Sequence, residues 1–335
     1  VLIPVRITPP PPLGLLRTLT VKELGGETMG TTWSAKLAVP AGTDLPPLER
    51  GIETVLARVI DEMSPWEPAS HISRFNAGPA GSWHRLPDGF FKVLSAALRW
   101  AERTGGAYDP TIGAAVNLWG FGPEPARGTL PDNDAVSRAR ERGGWQRVIL
   151  DRKTQSALQP GGLLLDLSSI AKGFAVDEVA RFLMSQGIAN LLVEIGGELR
   201  GEGLKPDGSP WWVAFETPRG THSVTRALPE TILALAGLSV ATSGDERRYV
   251  DVGGRRYAHT LDPATGAPVA HDLVSVTVAA EDAMTADALA TALTVLGPEA
   301  GPAFAAEQGV PARFVRYDGV QLSEQMSPAM AAMLD

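Results

Sequence analysis

Short strand-like runs separated by tight turns constrain this chain's fold more than any other feature. Runs at 247–252, 255–261 and 273–280 are divided by DVGG and DPATG. Turns of this kind use glycine's positive φ and the Asx hydrogen bond to reverse the backbone within a few residues. Strands joined so tightly pair antiparallel, since a parallel pair needs a long crossover. A further strand is expected near 211–216, and TMGTTWSAKLAV at 28–39 alternates and is β-branched. The 36 glycines and 27 prolines among 335 residues agree with frequent turns. A hydrophobic content of 44% permits a substantial core in one large or two ordinary domains.

Helical spacing breaks into this pattern. LPPLERGIETVLARVIDEM (45–63) places Ile52, Leu56, Val59 and Ile60 in one apolar row, and DGFFKVLSAALRWAERTGG (88–106) is a second helix closed by its glycines. A short charged helix is expected at 132–143. Strand GLLLDL (162–167), helix SIAKGFAVDEVARFLMSQG (169–187) and strand NLLVEI (190–195) read as a strand–helix–strand unit. SPWEPASHISRFNAGP reads as a polar loop, and YDPTIGAAVNLWGFGPEP (108–125) as irregular. The opening VLIPVRITPPPPLG has no basic segment followed by a long apolar core, so residues 1–20 read as a proline-rich leader or linker.

Composition removes several function classes. The net charge of −8 and the lack of a Lys/Arg run argue against nucleic acid and against polybasic membrane docking. With no cysteine, disulfides, thiolate metal sites and cysteine nucleophiles are excluded. The five histidines show no zinc-like spacing, so a metal here is expected on oxygen ligands, which favours a hard cation such as magnesium.

Three stretches carry the chemistry. In DAMTADALATALTVLG (282–297), a helix stopped by Gly297-Pro298, Asp287 and Thr291 lie four apart on one row, beside small alanines. Two readings stand at this point: a polar niche for a ligand, or a first-turn acid beneath a Thr285 N-cap with Thr291 bonding back to the carbonyl four residues earlier. In LLLDLSSIAKG, Asp166 ends an apolar run and Lys172 sits in the first turns of a helix, where it opposes the dipole. A lysine at a helix N-terminus suits a phosphate, although it can also simply extend to solvent. No G-x-G-x-x-G or G-x-x-x-x-G-K-[ST] accompanies it, which weakens a dinucleotide or P-loop reading. In RRYAHTLDPATGAPV, His259 precedes a tight turn and is either a general base, a phosphate contact or a packed strand histidine. Trp66, Tyr108, Trp119 and Phe121 fall in loops, where an aromatic can stack on a planar ring.

Taken in order, MGTTWSAKL, MSPWEPASHISRFN, YDPTIGAAVNLWGFG, LDLSSIAKGFAVD, VEIGGELRGEG, TSGDERRY, YAHTLDPATGAPV and TADALATAL resemble the FAD:protein FMN transferase (ApbE) family, from about residue 28 to about 297. The resemblance implies an α+β fold of mostly antiparallel sheets flanked by helices, a two-lobed unit with a central FAD cleft, over a single domain at 21–335. It implies cleavage of FAD at its pyrophosphate and attachment of FMN to a threonine of a partner protein, with release of AMP. Carried onto this chain, it makes Met29, Trp66, Ala107, Tyr108, Asp109, Asp166, Lys172 and Leu261 contacts to FAD. It makes Ser169 (through its carbonyl), Asp287 and Thr291 ligands of Mg²⁺, and His259 the candidate for assisting proton removal or fixing the phosphate. Glu198 stands where aspartate is common in the family, which leaves its role open. The partners implied are FAD and an acceptor protein with an exposed threonine, a subunit or regulator of a membrane redox complex, and the implied location is periplasmic. An FAD pyrophosphatase giving FMN and AMP, or a non-catalytic flavin-binding protein, are the competing readings.

Overall fold

The structure is a computed structural model that describes residues 2–3, 13–124, 129–215, 228–244, 249–252 and 255–334. Its frame is an eight-stranded sheet: β1 (Leu19–Thr28), β2 (Thr31–Pro40), β3 (Leu191–Ile195), β4 (Glu198–Glu202), β5 (Leu238–Gly244), β6 (Leu273–Ala280), β7 (Ala312–Tyr317) and β8 (Leu322–Met326). These strands lie side by side in chain order and every neighbouring pair is antiparallel. The turns between β1 and β2 and between β3 and β4 are two-residue hairpins. In the first, Met29 (φ 50°) and Gly30 (φ 71°) occupy the left-handed region; in the second, Gly196 and Gly197 do. Left-handed turns match the twist of the strands they join. Met29 adopts this conformation without glycine's freedom, an uncommon position for a bulky side chain.

Four helices matter to the site: α1 (Pro46–Met63), α2 (Asp88–Arg103), α3 (Ala171–Ser185) and α4 (Ala283–Glu307). Helices α3 and α4 pack on one face of the sheet and on each other, and α1 packs on α3. The period of two along the strands separates the faces. Ala35, Leu37, Val39, Val193 and Ile195 join Ile52, Leu56 and Val59 of α1 and Val176, Val179 and Ala180 of α3 in the largest apolar cluster. The other strand face, with Ala38, Val240 and Ala279, is covered by Trp211, Leu233 and Leu235 of a small sheet of Leu2–Ile3, Ile232–Leu235 and Trp211–Ala214. The fold is therefore α+β with mostly antiparallel sheets, as expected.

Several local expectations change. GLLLDL is no strand: among its residues only Leu164 makes a β-bridge, to Ile112, so the strand–helix–strand unit does not exist. The run is apolar because Leu163, Leu165 and Leu167 are buried, not because it is paired in a sheet. The loop after α1 contains a helix at His71–Asn76, N-capped by Ser70, whose Oγ accepts from Ser73 N–H at 3.1 Å. The segment expected to be irregular holds a helix at Gly113–Leu118. Gly297 (φ 80°) breaks α4 but does not end it; the helix resumes to Glu307. Much of the proline-rich leader (4–12), residues 247–248 of one expected strand and Gly253-Gly254 of the DVGG turn lie outside the described residues. No described helix is long and apolar enough to cross a membrane.

Candidate active site

The site forms where the N-termini of α3 and α4 meet. Gly173 makes the meeting possible: a Cβ there would come within 2.2 Å of the Ala283 carbonyl oxygen, so no other residue allows this approach. It is the third residue of α3, so its N–H is one of the first-turn donors that have no acceptor within the helix, and it donates to Asp287 Oδ2 at 3.0 Å. The first turn of α4 is fully accounted for. Asp282 is the N-cap and accepts from Thr285 N–H (2.8 Å) and Thr285 Oγ1 (3.0 Å), which corrects the expectation of Thr285 as the cap. Asp177 of α3 accepts from Ala283 and Met284 N–H, each at 3.0 Å, and pairs with Arg200 at 2.6 Å. Two carboxylates thus complement the positive end of α4. Thr294, not Thr291, bonds back along the helix, to Ala290 O at 2.8 Å.

Around this crossing lies a compact charged group. Asp287 is buried (6% exposed), and burial raises its pKa against the opposing pull of Lys172 and of the Gly173 N–H. Lys172 Nζ pairs with Glu198 Oε1 at 2.6 Å. Glu198, 3% exposed, opens β4 directly after the Gly196-Gly197 turn, and its Oε2 is buried without a hydrogen-bond partner. Burial pushes its pKa up to about 7; Lys172 lowers it and Asp287 raises it further. Among the described residues, two buried carboxylates, Asp287 and Glu198, act on the Lys172 ammonium.

Tyr108 is buried, and its hydroxyl accepts from Ser169 Oγ at 3.3 Å; burial raises its pKa, and the charges of Asp287, Asp166 and Asp109 add to that. Asp166 closes a turn by accepting from Ser168 N–H at 2.8 Å, while its own N–H donates to Pro110 O at 2.8 Å. Asp109 accepts from Thr111 N–H (2.8 Å), Thr111 Oγ1 (2.6 Å) and Trp145 N–H (3.3 Å), and burial raises its pKa. Ala107 stands before Tyr108, half-buried, with its N–H on Thr104 O.

The remaining candidates sit on other elements. Met29 packs against the main apolar cluster from its hairpin turn, and Trp66 stands 48% exposed after α1. His259 meets Phe121 edge-on with ring centroids 6.4 Å apart, and buried Leu261 packs with Ala114, Ala115 and Ala139. These contacts place the histidine block against the Gly113–Leu118 helix. Thr291 is half-buried one turn beyond Asp287.

Sequence reasoning missed Asp177, whose only signal is an acid on the small-residue row Gly173, Asp177, Ala180 of an apolar helix. It noticed Glu198 without a role; the structure supplies one, as counterion to Lys172. Among the described residues no group of three or more His, Cys, Asp or Glu side chains could hold a metal. The donors the resemblance names are of the type a hard cation takes: a buried carboxylate at Asp287, a hydroxyl at Thr291 and a backbone carbonyl at Ser169.

The ApbE family profile matches residues 29–314, and the chain belongs to that family. It is 41% identical over 290 residues to the FAD:protein FMN transferase of Vibrio cholerae, covering 86% of this chain and 85% of that protein. The Escherichia coli (strain K12) FAD:protein FMN transferase is 33% identical over 94% of this chain and 89% of its own length. The apo crystal structure of the Pseudomonas stutzeri flavinyl transferase ApbE superposes with a TM-score of 0.85 at 38% identity, covering 94% of this chain and 97% of that one.

Proposed function

We propose that this protein is a magnesium-dependent FAD:protein FMN transferase. A threonine hydroxyl oxygen of an acceptor protein forms a bond to the FMN-side phosphorus of FAD, the bond from that phosphorus to the bridging oxygen breaks, and AMP leaves with that oxygen. The hydroxyl proton passes to a base, for which His259 is the candidate. The observation that carries this reading is the Asp287–Lys172–Glu198 group at the α3–α4 crossing in a chain of this family.

In this reading Asp287, Thr291 and the Ser169 carbonyl hold Mg²⁺, whose chemistry at such a site is to neutralise charge on the pyrophosphate oxygens. Lys172 adds a second positive charge for the phosphates, at a helix N-terminus whose backbone dipole acts in the same direction. Trp66, exposed on its loop, offers a face to the isoalloxazine. Met29, Ala107, Tyr108, Asp109, Asp166 and Leu261 complete the FAD contacts. The acceptor is a subunit or regulator of a membrane redox complex, and the reaction is periplasmic.

The test is incubation with FAD, Mg²⁺ and an acceptor carrying an exposed threonine. AMP release together with denaturation-resistant flavin fluorescence on the acceptor is the expected result. FMN and AMP appearing at the same rate without any acceptor would replace transfer by hydrolysis.

A further inference from the structure

The His71–Asn76 helix is six residues long, and both of its ends are engaged. Its start closes the loop that carries Trp66. Ser70 Oγ donates to Ser64 O at 2.7 Å and Ser73 Oγ to Pro65 O at 3.4 Å, so the two carbonyls just before Trp66 are held by the first turn. At its finish, Asn76 meets a segment 89 positions away: its Nδ2 donates to Leu165 O at 3.0 Å, and Leu165 N–H donates to its Oδ1 at 2.8 Å. A carboxamide that gives and takes one hydrogen bond with a single residue does what a neighbouring strand would do. The other edge of the run is held by the segment that follows Tyr108 and Asp109. Gly113 N–H donates to Leu164 O at 3.1 Å, and Asp166 N–H to Pro110 O at 2.8 Å. Residues 164–166 are thus clamped from both sides although they belong to no sheet. Buried Gln159 donates through Nε2 to Phe75 O (2.9 Å) and Leu163 O (3.1 Å) beside this clamp, so the junction keeps a second link when Asn76 is lost.

We propose that Asn76 is a positioning residue for FAD: it sets the separation between the Trp66 loop, which takes the isoalloxazine, and the segment from Asp166 to Lys172, which takes the pyrophosphate. The proposal rests on the reading of those two segments as FAD contacts. Leu165 immediately precedes Asp166, and a six-residue helix rises only about 9 Å, so a shift at the Leu165 junction reaches the Trp66 loop with little slack. FAD must engage both segments at once, and it binds well only when their spacing is already the one it needs. A smaller molecule that uses one segment does not sense that spacing.

The test is calorimetric titration of the full-length chain, in the presence of Mg²⁺, with FAD, riboflavin and ADP. Riboflavin offers the isoalloxazine without a pyrophosphate, and ADP the pyrophosphate without an isoalloxazine. Asn76→Ala is expected to weaken FAD binding about tenfold or more, while riboflavin and ADP stay within about twofold of the parent. A general loss of structure would lower all three together. FAD affinity unchanged in Asn76→Ala, or an equal loss for all three ligands, would overturn the proposal. If Asn76→Ala does not fold, Asn76→Asp decides by the same comparison, since it keeps the size and the acceptor for Leu165 N–H but loses the donor to Leu165 O. A parent that binds FAD but neither fragment shows that the two ends are not held separately, and this also overturns the idea. A parent that binds no FAD removes the FAD reading of both segments and this proposal together, whereas normal parent binding matched by the variant removes only the role of Asn76.

Discussion

Asp287 shows how far a single position can be read from sequence. Its spacing to Thr291 and the ADALAT match marked it as a candidate, but its hydrogen bond to Gly173 spans 114 positions and no local pattern contains it. Asp287→Ala is expected to fold, with a cooperative circular-dichroism melt, while its transfer rate falls by about 100-fold or more, the scale of losing one electrostatic stabiliser at a reacting group. A transfer rate near that of the parent at low Mg²⁺ would refute the assignment. Trp66→Ala is expected to weaken FAD binding by about 1–3 kcal/mol, the scale of aromatic stacking on a planar base, as read by fluorescence titration. Glu198 carries a pH signature. Its folded-state pKa of about 7 lies above the ordinary carboxylate value of 4.5, so across that window the native state keeps a proton that the unfolded chain has released. Stability from this group is therefore lost as pH rises from 4.5 towards 7. Without metal, the parent's melting temperature should drop relative to that of Glu198→Gln over this window; parallel curves would show that Glu198 titrates normally.

Among the elements, the amphipathic helices were legible because burial and period coincide: Ile52, Leu56 and Val59 are buried, as their spacing implies. The 162–167 run misled because an apolar segment reads alike whether a sheet or a helix layer buries it. The helix at His71–Asn76 was hidden by the prolines before it, although Ser70 was a readable N-cap. The crossing of α3 and α4 was not legible at all, since a glycine in a helix announces no partner. Gly173→Ala tests it: the added methyl meets a backbone carbonyl at 2.2 Å, so the helices must separate. A loss of stability of about 1–3 kcal/mol in chemical denaturation is expected, together with loss of transfer. Full stability and activity in Gly173→Ala would mean that the contact is looser than described.

On the scale of the whole molecule, antiparallel pairing was foreseeable from the turns, but the strand order was not. β2 ends at Pro40 and its neighbour β3 begins at Leu191, and nothing in either segment names the other. The largest apolar cluster runs from Leu24 to Ala292 and takes in residues of α1, α2, α3 and α4. A core so widely shared predicts one calorimetric unfolding transition with equal calorimetric and van't Hoff enthalpies; two resolved peaks would show independent units.

The strict chain order of the eight strands has a consequence for rewiring the protein. With alternating directions, the start of β1 and the finish of β8 fall at the same end of the sheet but on opposite edges. Seven inter-strand spacings of about 4.8 Å separate those edges by roughly 34 Å. A circular permutant joining Leu19 to Met326 across that end therefore needs a connector of about ten extended residues at minimum. New termini would be best opened in an excursion between two successive strands, where a cut leaves every rung of the ladder in place.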